Sequence, residues 1–246
     1  MNIGILGTGH IGKTLVKKLS AAGHEVKVAN SRGPETISTD LLSMGAQAVS
    51  AEDAVTNVDV VILSIPFEAI PNIAQLFVDV PADTVVIDTS NYYPQRDGKI
   101  AAVETSQVES EWVAEQLGRP IAKAWNAIGA ASFAEKGKEA GNPDRIAIPV
   151  AADEEKAKQV TLALVEDTGL DAVYAGSIAE SWRQQPGSPA YCTDLAKDEI
   201  KPALNKAERD HLPKRRDLAI AAISERFTET GPDGNYLVQL NRALYM

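Results

Sequence analysis

The sequence has few of the residues that cross-link chains, bind metals or span membranes. Cys192 is the single cysteine among 246 residues, so an internal disulfide and a cysteine-based metal cluster are excluded, and we expect an unreactive thiol there. No run of residues approaches the roughly 20 apolar residues of a transmembrane helix. The first residues lead directly into a strand-like run without a basic leader, so we expect a cytoplasmic protein with no membrane partner.

Positive charge is also scarce. The 34 acidic residues exceed the 24 Lys and Arg, which gives a formal net charge of −10 at pH 7. This balance argues against nucleic acid or an anionic membrane as the main partner. Apolar residues make up 44% of the chain, an ordinary value for a soluble globular protein. An anionic ligand would therefore need a local site of backbone N–H groups and a few cations.

Short apolar runs alternate with amphipathic segments over most of the chain. Residues 3–6 and 58–63 are typical of buried parallel strands. Between them, Ile11, Leu15 and Leu19 recur every four residues, as on one face of a helix. The alternation predicts βαβ units, and therefore an α/β protein with a doubly wound, mostly parallel sheet.

Further helices are predicted over residues 34–44, 67–77 and 106–117. No strand pattern is present beyond Ser177, where the sequence predicts two helices broken near Pro213. We therefore place a domain boundary near residue 177, which leaves a small helical segment at the C-terminus.

A glycine-rich motif, G-x-G-x-x-G, follows the first strand and opens the first helix. In this context Gly7 permits a tight turn, Gly9 lets a pyrophosphate approach the backbone, and Gly12 lets the helix pack on the strand. The helix N-terminus then faces the phosphates. The motif predicts a Rossmann-type dinucleotide site formed by Gly7, Thr8, Gly9, His10, Ile11 and Gly12.

The end of the second strand distinguishes the two nicotinamide cofactors. NAD sites carry an acidic residue there, whereas this chain has Asn30, Ser31 and Arg32. A hydroxyl and a guanidinium can bind a 2′-phosphate through charge-assisted hydrogen bonds, so these residues predict NADP. The alternative is that Arg32 is a solvated loop residue.

The nicotinamide is expected beyond the carboxyl ends of the central strands. Ser64, Ile65 and Pro66 follow the fourth strand and Asn126 follows the sixth, so we expect all four at the cofactor, with Ser64 and Asn126 as catalytic residues. The alternatives are that Pro66 only ends its strand and that Asn126 is a turn residue.

Proton donors for a reduction are scarce. None of the three histidines is well placed, which leaves Lys123, Tyr92, Tyr93 and Tyr191 as the possible donors. This scarcity favours an acceptor that needs little acid assistance, such as a flavin-like ring.

Four spaced segments resemble the coenzyme F420-dependent NADP oxidoreductase family. They are Gly-Thr-Gly-His-Ile-Gly, Ala-Asn-Ser-Arg, Leu-Ser-Ile-Pro-Phe and Lys-Ala-Trp-Asn-Ala-Ile. The resemblance covers about residues 1–176 and implies a homodimer with Ser31 and Arg32 at the 2′-phosphate. It also implies hydride transfer to F420 or a flavin stacked near Pro66 and Asn126, without a metal. The chain departs from the family at Asn126, where archetypal members carry a His, and in its longer, charged tail.

These observations predict an NADP(H)-dependent oxidoreductase with a small-molecule electron acceptor. Residues 1–176 form the expected NADP-binding Rossmann domain. Residues 177–246 form a small helical domain that closes over the acceptor, makes a dimer contact or simply packs as a helix pair. Two alternatives stay open: a small-carbonyl reductase of the β-hydroxyacid dehydrogenase type, and a non-catalytic NADP-binding sensor module.

Overall fold

The computed structural model describes residues 1–227 and 233–246. Its strands form one eight-stranded sheet. In chain order they are β1 (Asn2–Leu6), β2 (Glu25–Ala29), β3 (Gln47–Ala48), β4 (Val60–Leu63), β5 (Val85–Asp88), β6 (Ala122–Lys123), β7 (Ala147–Ala152) and β8 (Asp171–Gly176).

Helices connect and cover these strands. The α-helices of the described residues are α1 (His10–Ala21), α2 (Thr39–Leu42), α3 (Ala51–Ala54), α4 (Ile70–Ile73), α5 (Pro94–Asp97), α6 (Ala101–Glu104), α7 (Glu109–Leu117), α8 (Ala130–Glu135), α9 (Glu155–Asp167), α10 (Lys197–Asn205), α11 (Leu212–Arg226) and α12 (Gly234–Tyr245). Short 3₁₀ turns lie at Pro34–Thr36, Phe67–Ala69, Ala74–Phe77, Ile178–Gln184 and Arg209–His211.

The strand order is β3-β2-β1-β4-β5-β6-β7-β8. The first six strands are parallel and follow the order of a doubly wound dinucleotide-binding fold. β7 pairs antiparallel with β6, and β8 pairs parallel with β7. The predicted fold class, a mostly parallel Rossmann sheet with a C-terminal helical segment, is confirmed.

Both faces of the sheet are buried, because successive side chains of a strand point to opposite faces. In β4, Val60 and Ile62 join the apolar cluster on the α1 side, which includes Leu15. Val61 and Leu63 join the cluster on the opposite side. The continuous apolar character of such strands follows from this double coverage.

Two predicted helices are shorter or more broken than expected. The helix predicted over 34–44 is interrupted at Ile37, whose extended backbone lets its side chain reach the core. The helix predicted over 106–117 begins at Glu109, because Ser106 has a φ of 93° and Val108 is extended. A left-handed residue cannot continue a right-handed helix, so the boundary moves toward the C-terminus.

The helix predicted over 67–77 is also divided, into two 3₁₀ turns and the single turn of α4. Pro71 stands at the start of that turn, where its missing N–H costs nothing.

The prediction of two C-terminal helices broken at Pro213 is wrong. Pro213 lies in the first turn of α11 and therefore starts this helix. Three α-helices, α10 to α12, follow β8 within the described residues. Among those residues, no helix combines the length and the apolar character needed to cross a bilayer.

Candidate functional site

The glycine motif forms the turn between β1 and α1, and its glycines have different surroundings. Gly7 has a φ of 112°, and a Cβ there would lie 2.0 Å from the carbonyl oxygen of Ser64. A Cβ on Gly12 would lie 2.2 Å from the carbonyl oxygen of Gly7. A Cβ on Gly9, by contrast, would have no neighbour within 4 Å. The fold therefore requires Gly7 and Gly12, whereas Gly9 leaves space on the outer side of the loop.

The N-terminus of α1 is suited to an anionic group. Gly9 is its N-cap, no side chain caps the first turn, and that turn contains no acidic residue. Its backbone N–H groups and helix dipole thus face the space beside Gly9. These residues fit the pyrophosphate of a dinucleotide.

The loop after β2 lies beside this turn, since Gly7 N donates a 2.8 Å hydrogen bond to the carbonyl oxygen of Ala29. Asn30 shapes the loop. Its Oδ1 accepts from the backbone N–H of Arg32 at 2.8 Å, and its Nδ2 donates to Thr36 Oγ1 at 2.9 Å. Ser31 and Arg32 are exposed. Arg32 pairs with no carboxylate in the described parts of the chain, so its guanidinium is positioned to meet a ligand.

A cavity of about 430 Å³ opens at the carboxyl ends of β1, β4, β5 and β6. This is the edge at which doubly wound folds bind ligands. Of the predicted site residues, those that line the cavity are Gly9, His10, Ile11, Ser64, Ile65, Pro66 and Asn126. Asn30, Ser31 and Arg32 lie apart, at the end of β2, as expected for a site that extends from the cavity along the sheet edge.

Asn126 is held by neighbouring groups. Its Nδ2 donates to Asn91 Oδ1 at 3.1 Å and to the carbonyl oxygen of Gln184 at 2.9 Å, and its Oδ1 accepts from Gln184 Nε2 at 2.9 Å. Only 2% of Asn126 is exposed. These contacts tie the segment after β6 to Asn91, which lines the cavity, and to Gln184 at the end of a 3₁₀ turn. The catalytic role predicted for Asn126 and Ser64 stays a prediction.

The opposite wall of the cavity comes from the C-terminal helices; closure over the acceptor was one of the three roles that the sequence left open for residues 177–246. α11 contributes Arg216, Ala219, Ile220 and Ile223, and α12 contributes Leu237, Asn241 and Tyr245. Their spacing of three or four residues predicts a packing face. It does not say what that face covers.

Two of the four possible proton donors meet inside the cavity. The hydroxyl oxygens of Tyr93 and Tyr191 lie 2.6 Å apart, and both side chains line the cavity. Burial raises the pKa of both hydroxyls well above the ordinary value, so both remain protonated near neutral pH. The pair is a hydrogen-bond donor in an otherwise largely apolar wall.

The other two donors lie elsewhere. Lys123 is fully buried beneath the cavity, where its Nζ lies 2.5 Å from both Asp88 Oδ2 and the carbonyl oxygen of Ser90. The Tyr92 hydroxyl donates to Glu104 and lines a second cavity on the far side of α11. Neither lines the cavity that the glycine motif borders.

The loop that carries Tyr191 is fixed in place. Cys192 has a φ of 52°, its N–H donates to the carbonyl oxygen of Ala127 at 2.9 Å, and its own carbonyl accepts from Asn241 Nδ2 at 3.3 Å. Burial raises the pKa of the Cys192 thiol to about 12, so it stays protonated. This agrees with the unreactive thiol expected from the sequence.

Two arginines approach the same cavity. Arg96 lies at the rim of the cavity, and its guanidinium donates hydrogen bonds to the Asp97 carboxylate and the carbonyl oxygen of Asn91. Arg216 is 7% exposed, and its Nε donates to Asp217 Oδ1 at 2.8 Å. Its other two guanidinium nitrogens have no hydrogen-bond partner in residues 1–227 and 233–246.

Comparison with known proteins supports this description. Residues 2–92 match the family model described as NADP oxidoreductase, coenzyme F420-dependent. The protein YjhV of Escherichia coli (strain K12) is 59% identical over 54 residues, a segment that spans 22% of this chain and 39% of that relative. The chain therefore matches about two fifths of the length of this curated relative.

Solved structures extend the likeness of fold beyond the matched segment. A hypothetical protein of Sinorhizobium meliloti superposes with a TM-score of 0.70 at 27% identity, covering 80% of this chain and 96% of that one. A protein of Arthrobacter sp. FB24 described as an F420-dependent NADP reductase gives 0.58 at 19% identity, covering 74% and 87%. A reductive aminase of Aspergillus terreus, in complex with NADPH, gives 0.52 at 13% identity, covering 97% and 70%.

The matched segment contains the glycine motif, the Asn30–Arg32 loop and the end of β4. The family matched over this segment is described as one of NADP oxidoreductases. The resemblance that the sequence motifs predicted is thus confirmed over residues 2–92, which match the coenzyme F420-dependent NADP oxidoreductase family.

Proposed function

We propose that this protein is an NADP(H)-dependent oxidoreductase that transfers a hydride between the nicotinamide and an organic acceptor bound in the cavity. The observation that carries the proposal is the continuity of one sheet edge. The open turn at Gly9 and the cavity wall at Pro66 and Asn126 lie on the same edge, with His10 and Ile11 between them.

The residues of the chain have separate tasks in this proposal. The first turn of α1 binds the pyrophosphate, and Ser31 and Arg32 bind the 2′-phosphate. Ser64, Ile65 and Pro66 position the nicotinamide end, and helices α11 and α12 exclude water from the acceptor. NADP supplies the hydride chemistry when it is bound.

The acceptor expected from the matched family is a deazaflavin of the F420 type or a flavin. A second candidate is a small carbonyl compound, and the Tyr93–Tyr191 pair favours it. Reduction of a carbonyl group needs a proton donor at its oxygen, and two protonated hydroxyls in the cavity supply one.

Absorbance at the NADPH band, followed while F420, FMN, FAD, quinones and aldehydes are screened, tests the proposal. We expect oxidation of NADPH with at least one class. Binding of NADPH in calorimetry without turnover on any acceptor would instead favour the sensor module. Absence of NADP(H) binding would refute the assigned cofactor.

We also propose a cytoplasmic homodimer without a nucleic-acid partner, divided into domains at about residue 177. Light scattering of the purified protein tests the dimer, and its mass would be twice the 26.2 kDa of one chain. A monomer at micromolar concentration would contradict it.

A further inference from the structure

We propose that the acceptor of this oxidoreductase is a small anionic carbonyl compound, an oxo acid whose carboxylate binds Arg216 and whose carbonyl oxygen receives a proton from the Tyr93–Tyr191 pair. This inference rests on the proposed hydride transfer in the cavity. The inference adds the class of acceptor and two groups that recognise it. Both groups lie outside residues 2–92, the segment that the family model matches.

The first element is the guanidinium of Arg216. The residue lines both this cavity and the second cavity beside Tyr92, and its guanidinium carbon lies 5.6 Å from the centre of the Tyr92 ring. It is more than nine-tenths buried and commits only its Nε to a carboxylate, that of Asp217. A buried cation costs free energy unless its donors are satisfied. Two guanidinium nitrogens in a fixed fork match the two oxygens of a carboxylate.

The charges around Arg216 leave it available for an anion. Asp217 is half exposed and also accepts from Gln95 Nε2. Glu109 lies near enough to interact with Arg216 through space, but its carboxylate accepts from the backbone N–H of Tyr92 and also interacts with Lys123. No carboxylate of the described residues bonds the two terminal nitrogens of Arg216.

The second element is the hydroxyl pair. One of its two O–H groups forms the bond between the rings, so the other can be donated to an oxygen in the cavity. Asn126 is not such a donor, because its amide hydrogens are already bonded to Asn91 and Gln184. We therefore assign the tyrosine pair, and not Asn126, as the donor to the carbonyl oxygen.

The size of the cavity agrees with a compact acceptor. A volume of about 430 Å³ is toward the lower end of the range for small-molecule sites, roughly 300–1,000 Å³, and the nicotinamide must share it. Apolar side chains such as Ile220 and Ile223 fill the wall between the polar groups, which suits a short carbon chain.

The chemical step balances without a further reactant. The carbonyl carbon gains a hydride as a C–H bond forms and the C=O π bond breaks, and the oxygen takes a proton from the tyrosine pair. The acceptor becomes a hydroxy acid, NADPH becomes NADP⁺, and one proton from water restores the hydroxyl pair.

Steady-state kinetics with matched probes test the inference. The probes are 2-oxobutanoate and 4-oxobutanoate, with the uncharged butanone and butanal as their partners. We expect the wild-type protein to prefer the anionic probes in kcat/KM by about tenfold or more, since a charge-assisted pair is lost with the neutral ones. Arg216→Gln is expected to lower this preference through KM, whereas Arg209→Gln, in the second cavity, should retain it.

The tyrosines are tested separately. Tyr93→Phe combined with Tyr191→Phe is expected to lower kcat about 10²-fold or more, the contribution of a general acid, while Tyr174→Phe on the outer strand should not. Far-ultraviolet circular dichroism checks that each variant is folded. Butanoate, which cannot be reduced, gives a readout apart from activity, because calorimetry with NADP⁺ present should detect its binding to the wild type and not to Arg216→Gln.

The outcomes separate this inference from the proposed function. Turnover of F420 or flavins without turnover of either oxo acid would overturn the inference and leave the oxidoreductase standing. Equal kcat/KM for charged and uncharged probes, or butanoate binding unaffected by Arg216→Gln, would also overturn it. Failure to bind NADPH at all would refute both.

Discussion

The Lys123 ammonium lies 2.5 Å from the Asp88 carboxylate, and neither side chain is exposed to solvent. The same ammonium lies 2.5 Å from the carbonyl oxygen of Ser90. These bonds join the end of β6 to the end of β5 and to the loop that leads to Tyr93. The ion pair therefore stabilises the ends of β5 and β6 beneath the cavity.

Removal of this pair's cation should be strongly destabilising. Lys123→Met leaves Asp88 buried without its partner, so we expect a loss of about 3–5 kcal/mol in the free energy of unfolding. Urea denaturation measures it. Lys17→Met, which breaks the exposed pair with Asp40, is the control and should cost less than about 1 kcal/mol. A loss for Lys123→Met no larger than that of the control would contradict the stabilising role of the buried pair.

The glycines of the motif should separate stability from binding. Gly12→Ala places a Cβ against the carbonyl oxygen of Gly7 and should lower stability by about 1–3 kcal/mol. Gly9→Ala meets no protein atom, and its φ of −69° suits alanine, so stability should change by less than about 1 kcal/mol. NADPH binding should nevertheless weaken about tenfold or more, because the methyl group occupies the space for the pyrophosphate. Thermal melting measures the stability and calorimetry measures NADPH binding. If Gly9→Ala binds NADPH as tightly as the wild type, the pyrophosphate does not bind beside Gly9.

Arg32 should determine the preference for NADPH over NADH. Arg32→Ala removes a guanidinium from the 2′-phosphate, so NADPH binding should weaken by ~1–3 kcal/mol while NADH binding changes little. Calorimetry with each cofactor measures the difference. Lys201→Ala on the surface of α10 is the control for loss of one positive charge, and equal losses for both cofactors in Arg32→Ala would remove the assigned role.

Glu109 should make stability depend on pH. Burial raises the pKa of this carboxyl from 4.5 to about 7, with the Lys123 charge opposing the shift. Between these values the folded state binds more protons than the unfolded state, so the free energy of unfolding falls as pH rises from about 4.5 to 7. The free energy of unfolding of Glu109→Gln, relative to that of the wild type, should therefore rise by on the order of 3 kcal/mol across that window.

Urea denaturation at pH 4.5, 6 and 8 measures this difference. Glu111→Gln, on the exposed face of the same helix, should run parallel to wild type at every pH. If the free energy of unfolding of Glu109→Gln also runs parallel to that of the wild type, the Glu109 carboxyl has the same pKa in the folded and unfolded states.

The parts of the molecule that were predictable from the sequence are those governed by local rules. The G-x-G-x-x-G motif encodes its own turn, so the residues from Gly7 to Gly12 were placed correctly at the turn after β1 and in the first turn of α1. The strand ends at Ser64 and Asn126 followed from the order of a doubly wound sheet. Each inference needed only neighbouring residues and the general geometry of the fold.

Long-range packing was beyond the same reasoning. The 2.6 Å contact of Tyr93 with Tyr191 joins residues 98 positions apart, and the hydrophobic periodicity of the sequence does not predict such a contact. Arg216 stands in a run of charges that usually marks a solvated helix face, yet the fold buries it. The helix predicted from Ser106 failed for a local reason. Backbone N–H groups of Ser106 and Gln107 donate to the carbonyl oxygens of Val103 and Ala102, and Ser106 in this turn has a φ of 93°.

The antiparallel strand β7 has a consequence for how such a protein can diversify. β7 and β8 carry the chain to the edge of the sheet remote from the cavity, so everything after Gly176 has to return across the molecule to reach it. In the proposed function, the residues that bind the cofactor come mainly from the N-terminal third of the chain, whereas Tyr191 and Arg216 of the proposed acceptor site come from its last quarter. On this proposal, we expect mutations in the last quarter of the sequence to change the acceptor that is reduced while the NADP site stays intact.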